Sequence, residues 1–185
     1  MQENAFKENI LPVIVLSTIC LIVTLALAIT YKVSNPVIEA NAIEYATAAR
    51  TQVLAEADAF TEYEGALIDG VDELYIANNG AGVVATTAYK GFGGLVTTMV
   101  GIDGDGKITG VTVTEHAETP GLGTKITDPE YLKRYIGVTE APANHINDDK
   151  NIDAVSGATI TSNAVYGCVH LAFIQLDDYK EASHG

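Results

Sequence analysis

Apolar and polar positions are spread very unevenly along this chain. Ile10 to Tyr31 reads ILPVIVLSTICLIVTLALAITY, without a charged residue. As a helix rising about 1.5 Å per residue, this run reaches about 30 Å, the thickness of a bilayer's hydrocarbon core. Ser17, Thr18, Thr24 and Thr30 can return their hydroxyls to the helix backbone, and Tyr31 and Lys32 suit an interface. Lys7 ahead of the run and Ala26-Leu27-Ala28 inside it have the makings of a cleavable signal peptide. The run continues through Ile29 to Tyr31, however, which favours a retained single-span anchor. Lys7 and Lys32 lie on opposite sides of the span, so positive charge does not orient it.

Beyond the anchor the periodicity changes twice. Asn35 and Pro36 have the chemistry of an N-cap and a first helical residue. Ile38, Ala42, Tyr45, Ala49, Val53 and Ala57 then recur every three or four positions, predicting a helix to about Ala59. After Gly65 short β-prone runs take over. Leu74–Ala77 and Val83–Tyr89 are separated by Asn78-Asn79-Gly80, and Leu95–Ile102 and Lys107–Glu115 by Asp103-Gly104-Asp105-Gly106. Val111 and Val113 alternate with Thr112 and Thr114, the pattern of a strand with one buried face. A short helix is expected around Pro129–Ile136, a polar loop over Ala141–Asn151 and an amphipathic helix over Asn163–Tyr179. Strands followed by a closing helix, without βαβ alternation, predict an α+β domain with an antiparallel sheet and packed helices, and disfavour a Rossmann dinucleotide site. The expected division is an arm over 1–9, a transmembrane helix over 10–31, a helical connector over 32–65 and a folded domain over 66–185.

Charge sharpens this picture. The 185 residues carry 10 Lys and Arg against 24 Asp and Glu, a formal −14, yet mean hydropathy is +0.18. The apolar surplus lies in the anchor; the rest is an acidic, soluble face. Such a balance excludes a sequence-independent nucleic-acid binder, which needs a basic surface. Cys20 in the span and Cys168 in the last helix are not placed to pair and read as small apolar residues. His116, His145, His170 and His184 have no metal-ligand spacing, and only His116 adjoins a candidate site. The Asp103–Gly106 run lacks the later oxygen ligands of a calcium loop and reads as a hairpin turn. No metal site is expected.

Two strings carry candidate chemistry. Asp153–Ser162, D-A-V-S-G-A-T-I-T-S, feeds hydroxyls and a glycine into a helix N-terminus, where free amides and the helix dipole favour a phosphate. Read only as structure, it is a cap, with Thr161 or Ser162 capping and Gly157 making the turn. The second string, Glu118-Thr119-Pro120-Gly121-Leu122-Gly123, follows a strand. Its glycines allow close backbone approach to a ligand.

Together the strings resemble the FMN-binding domain family, from about Tyr89 to Phe173. The resemblance implies that Thr159 carries FMN through a phosphoester, flanked by Ser156, Gly157 and Ala158. Glu118, Thr119, Gly121, Leu122 and Gly123 would contact the flavin. It also implies that Asp153 belongs to the pattern read by a flavin transferase, which attaches the cofactor from FAD. Within the family, the short chain, the single span and the run Gly93–His116 resemble the G subunits of Rnf-type ion-translocating ferredoxin:NAD oxidoreductases. The C subunits of Nqr-type sodium-pumping quinone reductases, which tend to be longer, are the alternative branch. Either branch implies an electron relay with no independent catalytic site. Its partners would be other membrane and peripheral subunits of a redox complex, with the FMN domain on the extracytoplasmic side of the cell membrane. Two readings of other classes stand beside it: an anchored, non-redox binding domain, and an independent flavin reductase, for which no acid–base constellation is evident.

Overall fold

The computed structural model describes residues 10–142 and 145–184. The chain divides into two compact units, Met1–Ala46 and Thr47–Gly185. The first helix, α1 (Leu11–Val53), continues without a break through the positions read as anchor and into the first part of the connector, and ends at Val53, short of the predicted Ala59 and of the helical connector's expected end at 65. Pro36, expected at a helix start, lies inside it. Asn35 does not cap; its side-chain amide donates to Glu39 Oε1 at 2.6 Å. A proline removes one backbone donor and crowds the preceding turn, but helix-forming sequence on both sides carries the helix through. In the first unit the apolar side chains are exposed. Thr18, Thr24 and Thr30 donate their hydroxyls to the carbonyls four residues back, at 2.7–3.0 Å, as expected of hydroxyls in an apolar span. This helix is long and apolar enough to cross a membrane.

The second unit is built on a five-stranded antiparallel meander in sequence order: β1 (Phe60–Glu62), β2 (Val71–Ala77), β3 (Gly82–Lys90), β4 (Leu95–Asp103) and β5 (Ile108–His116). The β4–β5 hairpin forms where alternation predicted it, with Val100 opposite Val111. Its turn is closed by Asp103, whose Oδ1 accepts from the amides of Asp105 and Lys107 at 2.9 and 2.8 Å. β1 was not expected; three residues are too few for a readable period. Short helical pieces follow β5: a turn over Gly123–Thr127, α2 (Pro129–Leu132), capped by Asp128 accepting from the Glu130 amide, and the turns Lys133–Tyr135 and Ile146–Asp148. The closing helix α3 (Thr159–His184) begins four residues before the predicted Asn163.

The core lies between one face of the sheet and α3. Val83, Ala85, Val100, Ile102 and Ile108 from the sheet meet Val165, Val169, Ala172 and Leu176 from the helix. Gln175, fully buried, uses its side chain to hold Ala66 and Ile68 of the segment before β2. The last turn of α1 belongs to this same unit. The paired glycines Gly101 and Gly110 let the Val53 backbone lie against β4 and β5 where any Cβ would collide with it. Arg50, in the same turn, donates to Glu73 Oε2 at 3.1 Å and lies 3.6 Å from the centre of the Tyr75 ring. One end of this sandwich, past β5 and at the start of α3, holds the two strings singled out above.

Candidate flavin site

Three chain segments meet at that end. The first is the Gly91–Gly94 turn between β3 and β4, closed by a 2.7 Å bond from the Gly91 amide to the Gly94 carbonyl. The second is the Glu118–Gly123 loop after β5. The third is the Gly157–Thr161 start of α3. They surround a cleft of about 320 Å³.

Glu118 joins all three. Its Oε1 accepts from the Gly93 amide at 3.0 Å, and its Oε2 accepts from the Thr161 hydroxyl at 2.7 Å. The side chain is 6% exposed, and no Lys, Arg or His side chain pairs with it among the described residues. Space for it is made by absent side chains. A Cβ on Gly91 would collide with Oε1, and one on Gly123 would come within 2.8 Å of Oε2. The Glu118 amide in turn donates to His116 Nδ1 at 3.3 Å, which places that histidine beside the loop, as its sequence position suggested.

Of the sequence-predicted residues, Glu118, Thr119, Leu122, Gly123, Gly157, Ala158 and Thr159 line the cleft. Thr119 contributes more by backbone than by side chain: its carbonyl accepts from the amides of Leu122 and Gly123 at 3.3 and 3.0 Å, rounding off the loop. Gly121 is not in the lining. It has φ +78°, a conformation suited to glycine, and a Cβ built on it meets open space. Its role here is the turn rather than close approach to a ring. Ser156 and Asp153 are exposed and also outside the lining. The Asp153 carbonyl accepts from Arg134 Nη1 at 3.2 Å.

Thr161 and Ser162 are not helix caps. Thr161 is committed to Glu118, and Ser162 Oγ accepts from the Val155 amide at 2.9 Å, so the string is tied back onto its own helix. Tyr131 is 3.2 Å from the hydroxyl of Tyr135. Burial pushes both phenols above the usual range; for Tyr131 the bonds to Tyr135 and Ser162 pull the other way.

Two residues that the sequence reading passed over complete the walls. Phe92, 71% exposed, tops the Gly-Phe-Gly-Gly turn, and Ile160, 56% exposed, follows Thr159. With Leu122 they give the cleft an apolar rim. An aromatic set between glycines was the signal for the first; Ile160 had none, since an apolar residue at a helix start reads as core.

The arrangement fits a flat, partly apolar ligand with an anionic tail. The rim offers surface for a ring system. The amides of Thr159, Ile160 and Thr161 precede the first helical bond, from Ser162 to Ala158 at 2.8 Å, and among the described residues have no backbone acceptor, which suits them to a phosphate. Among the described residues, no Lys or Arg lines the cleft.

Comparison with known proteins agrees with this geometry. The family model described as FMN-binding domain matches residues 91–173. The G subunit of the ion-translocating oxidoreductase complex of Methanosarcina acetivorans is 30% identical over 97% of this chain and 98% of its own. The chain belongs to the family of G subunits of ion-translocating oxidoreductase complexes. Other members show the same likeness. The G subunit of the proton-translocating ferredoxin:NAD(+) oxidoreductase complex of Clostridium ljungdahlii is 28% identical over 81% of this chain and 82% of its own. A Haemophilus influenzae G subunit is 38% identical over 52% of each chain. Among solved structures, NqrC of Shewanella oneidensis superposes with a TM-score of 0.47 at 23% identity over 67% of each chain. Of the two branches that the sequence suggested, the chain joins that of the G subunits.

Proposed function

We propose that this G subunit carries FMN esterified through its phosphate to Thr159 and serves as an electron relay in a membrane-bound, ion-translocating ferredoxin:NAD oxidoreductase. The observation that carries the attachment is the state of the hydroxyls in the string. Thr161 and Ser162 are buried and bonded, and Ser156 is exposed outside the cleft. Thr159 is half-buried, lines the cleft, and its hydroxyl has no partner among the described residues. It is also the threonine that ends the S-G-A-T string.

Bound FMN would supply one- and two-electron redox chemistry; the chain supplies placement and electrostatics. Phe92, Leu122 and Ile160 offer apolar surface to the ring, the first amides of α3 face the phosphate, and Glu118 fixes the walls. Since no Lys or Arg among the described residues lines the cleft, an ester would prevent loss of the cofactor to water.

The proposed division is an arm over 1–9, an anchor over 10–31, a connector over 32–65 that is helical only as far as Val53 and whose end carries β1 of the sheet, and the rest of the FMN domain over 66–185, on the extracytoplasmic side. Asp153, exposed three residues ahead of Ser156, is where a flavin transferase would read the string. The other subunits of the complex are the remaining partners. Full-length chain, co-expressed with a flavin transferase, tests the reading. A band that fluoresces under ultraviolet light after denaturing electrophoresis is expected, and a dark band from correctly localised protein would overturn covalent attachment.

A further inference from the structure

Glu118 holds an unusual position for a residue in an electron carrier. It lies at the wall of the cleft, 6% exposed, and its two oxygens accept from a backbone amide and a hydroxyl, with no cationic side chain paired to it among the described residues. Both bonds suit the ionised carboxylate, which only accepts. Neutral donors stabilise that charge without cancelling it. The glycines at 91 and 123 reserve its place, since a Cβ on either would strike the carboxylate. If only loop anchoring were needed, a neutral acceptor would meet the same two donors. A charge at this point costs desolvation and acts on whatever fills the cleft.

We infer that Glu118 sets the reduction potential of the cofactor held in this cleft: its fixed negative charge opposes electron addition and keeps the potential low. The inference rests on the proposal that the cleft holds FMN. An added electron and the carboxylate repel with an energy of about 332/(εr) kcal/mol, and near a protein surface the effective ε is about 20. At that screening, a charge within roughly 12 Å alters the ratio of reduced to oxidised cofactor about tenfold. A ring seated against a residue of the wall lies well inside this distance. Glu118 is therefore a positioning and tuning residue, acting by charge, and not a catalytic one.

The charge can be removed with little change of shape. In E118Q the amide oxygen can accept from Gly93 and the amide nitrogen can donate to the Thr161 hydroxyl, which serves as donor or acceptor. E118D and T161V do the reverse, keeping the charge while disturbing the bonds. The experiment is a redox titration of flavin absorbance in full-length, detergent-solubilised protein for wild type and all three variants. At a fixed potential, E118Q is expected to raise the reduced-to-oxidised ratio at least tenfold, a positive midpoint shift of about 30 mV for a two-electron couple or 59 mV for a one-electron couple. E118D and T161V, which disturb the joint but keep the charge, should change the ratio clearly less than E118Q does. An E118Q reduced-to-oxidised ratio within threefold of wild type at the same potential, or a shift in E118D or T161V as large as that in E118Q, overturns the inference. If E118Q does not fold, a tenfold or greater change in either charge-retaining variant still overturns it. Fluorescence of the denatured band separates the two claims: a wild-type band without flavin sinks the proposed cofactor, whereas a flavin-loaded E118Q with an unmoved midpoint sinks only the tuning role.

Discussion

Thr161→Val probes the joint that holds the candidate site together. The substitution keeps a β-branched side chain of nearly the same volume and removes one hydroxyl, so it leaves little cavity. That hydroxyl is 2.7 Å from Glu118 Oε2, where Thr161 is 2% and Glu118 6% exposed. A hydrogen bond to a charged group contributes about 1.5–3 kcal/mol, and an acceptor left buried without its donor adds to the loss. We expect a destabilisation of about 2–4 kcal/mol. With a urea m-value of about 1–3 kcal/mol/M, the unfolding midpoint should fall by roughly 1 M or more. The chain has no Trp and nine Tyr, so near-ultraviolet circular dichroism of the tyrosines is a suitable signal. Thr161→Ser keeps the hydroxyl and should lose no more than about 1 kcal/mol. Combining T161V with E118Q in a double-mutant cycle should show a coupling of at least about 0.5 kcal/mol, the signature of direct contact. A T161V protein within about 0.5 kcal/mol of wild type, or a T161S protein as unstable as T161V, would refute the joint.

Three further outcomes follow from the same structure. On the proposed attachment, Gly121→Val should leave flavin on Thr159 but alter its absorption and potential; since φ is +78° and the surrounding space is open, the effect comes through a strained turn worth about 1–2 kcal/mol rather than a collision, and an unchanged spectrum and potential would remove the loop from the site. Burial pushes the Cys168 thiol from 9.0 up to about 11 and raises the Tyr131 and Tyr135 phenols with it, so the fold holds protons that the unfolded chain releases. Stability should be intact below about pH 9 and decline toward pH 11, with Cys168→Ala flattening part of the slope; a urea midpoint that rises across this window would contradict the assignment. Chain starting at Lys32 should be soluble and monomeric without detergent by size-exclusion chromatography, and a persistent need for detergent would reveal a second membrane-contacting surface.

Much of this architecture is legible in the residues. Alternation at Val111–Thr114 and the Asp-Gly turn before it define the β4–β5 hairpin, because a sheet with one buried face imposes a period of two. The apolar run from Ile10 needs no tertiary information. What sequence reasoning missed depended on tertiary contacts or on competition between local signals. Pro36 looked like a helix start because the fixed φ and missing amide of proline suit that place, yet the flanking turns carry the helix past it. Thr161 and Ser162 looked like caps because hydroxyls before an amphipathic run usually are; a glutamate 43 residues away and the Val155 amide claimed them instead. That displacement matters for the site, since it leaves Thr159 at the head of α3 with a hydroxyl that no described residue engages. Phe92 shows the opposite limit: no local rule connects a turn after β3 with a helix start nearly 70 residues later.

The central claim, Thr159 as the point of flavin attachment, is tested most directly by peptide mass mapping of the full-length chain and its Thr159→Val variant. Both are expressed with a flavin transferase in the compartment where that enzyme acts. Valine preserves the branched shape and removes the one hydroxyl able to form the ester. The expected result is an FMN-sized mass increment on Thr159 in the wild-type chain, and none between Asp153 and Ser162 in a variant that still folds. An increment on Ser156 or Thr161, or a wild-type chain without flavin on any residue of the string, would contradict it.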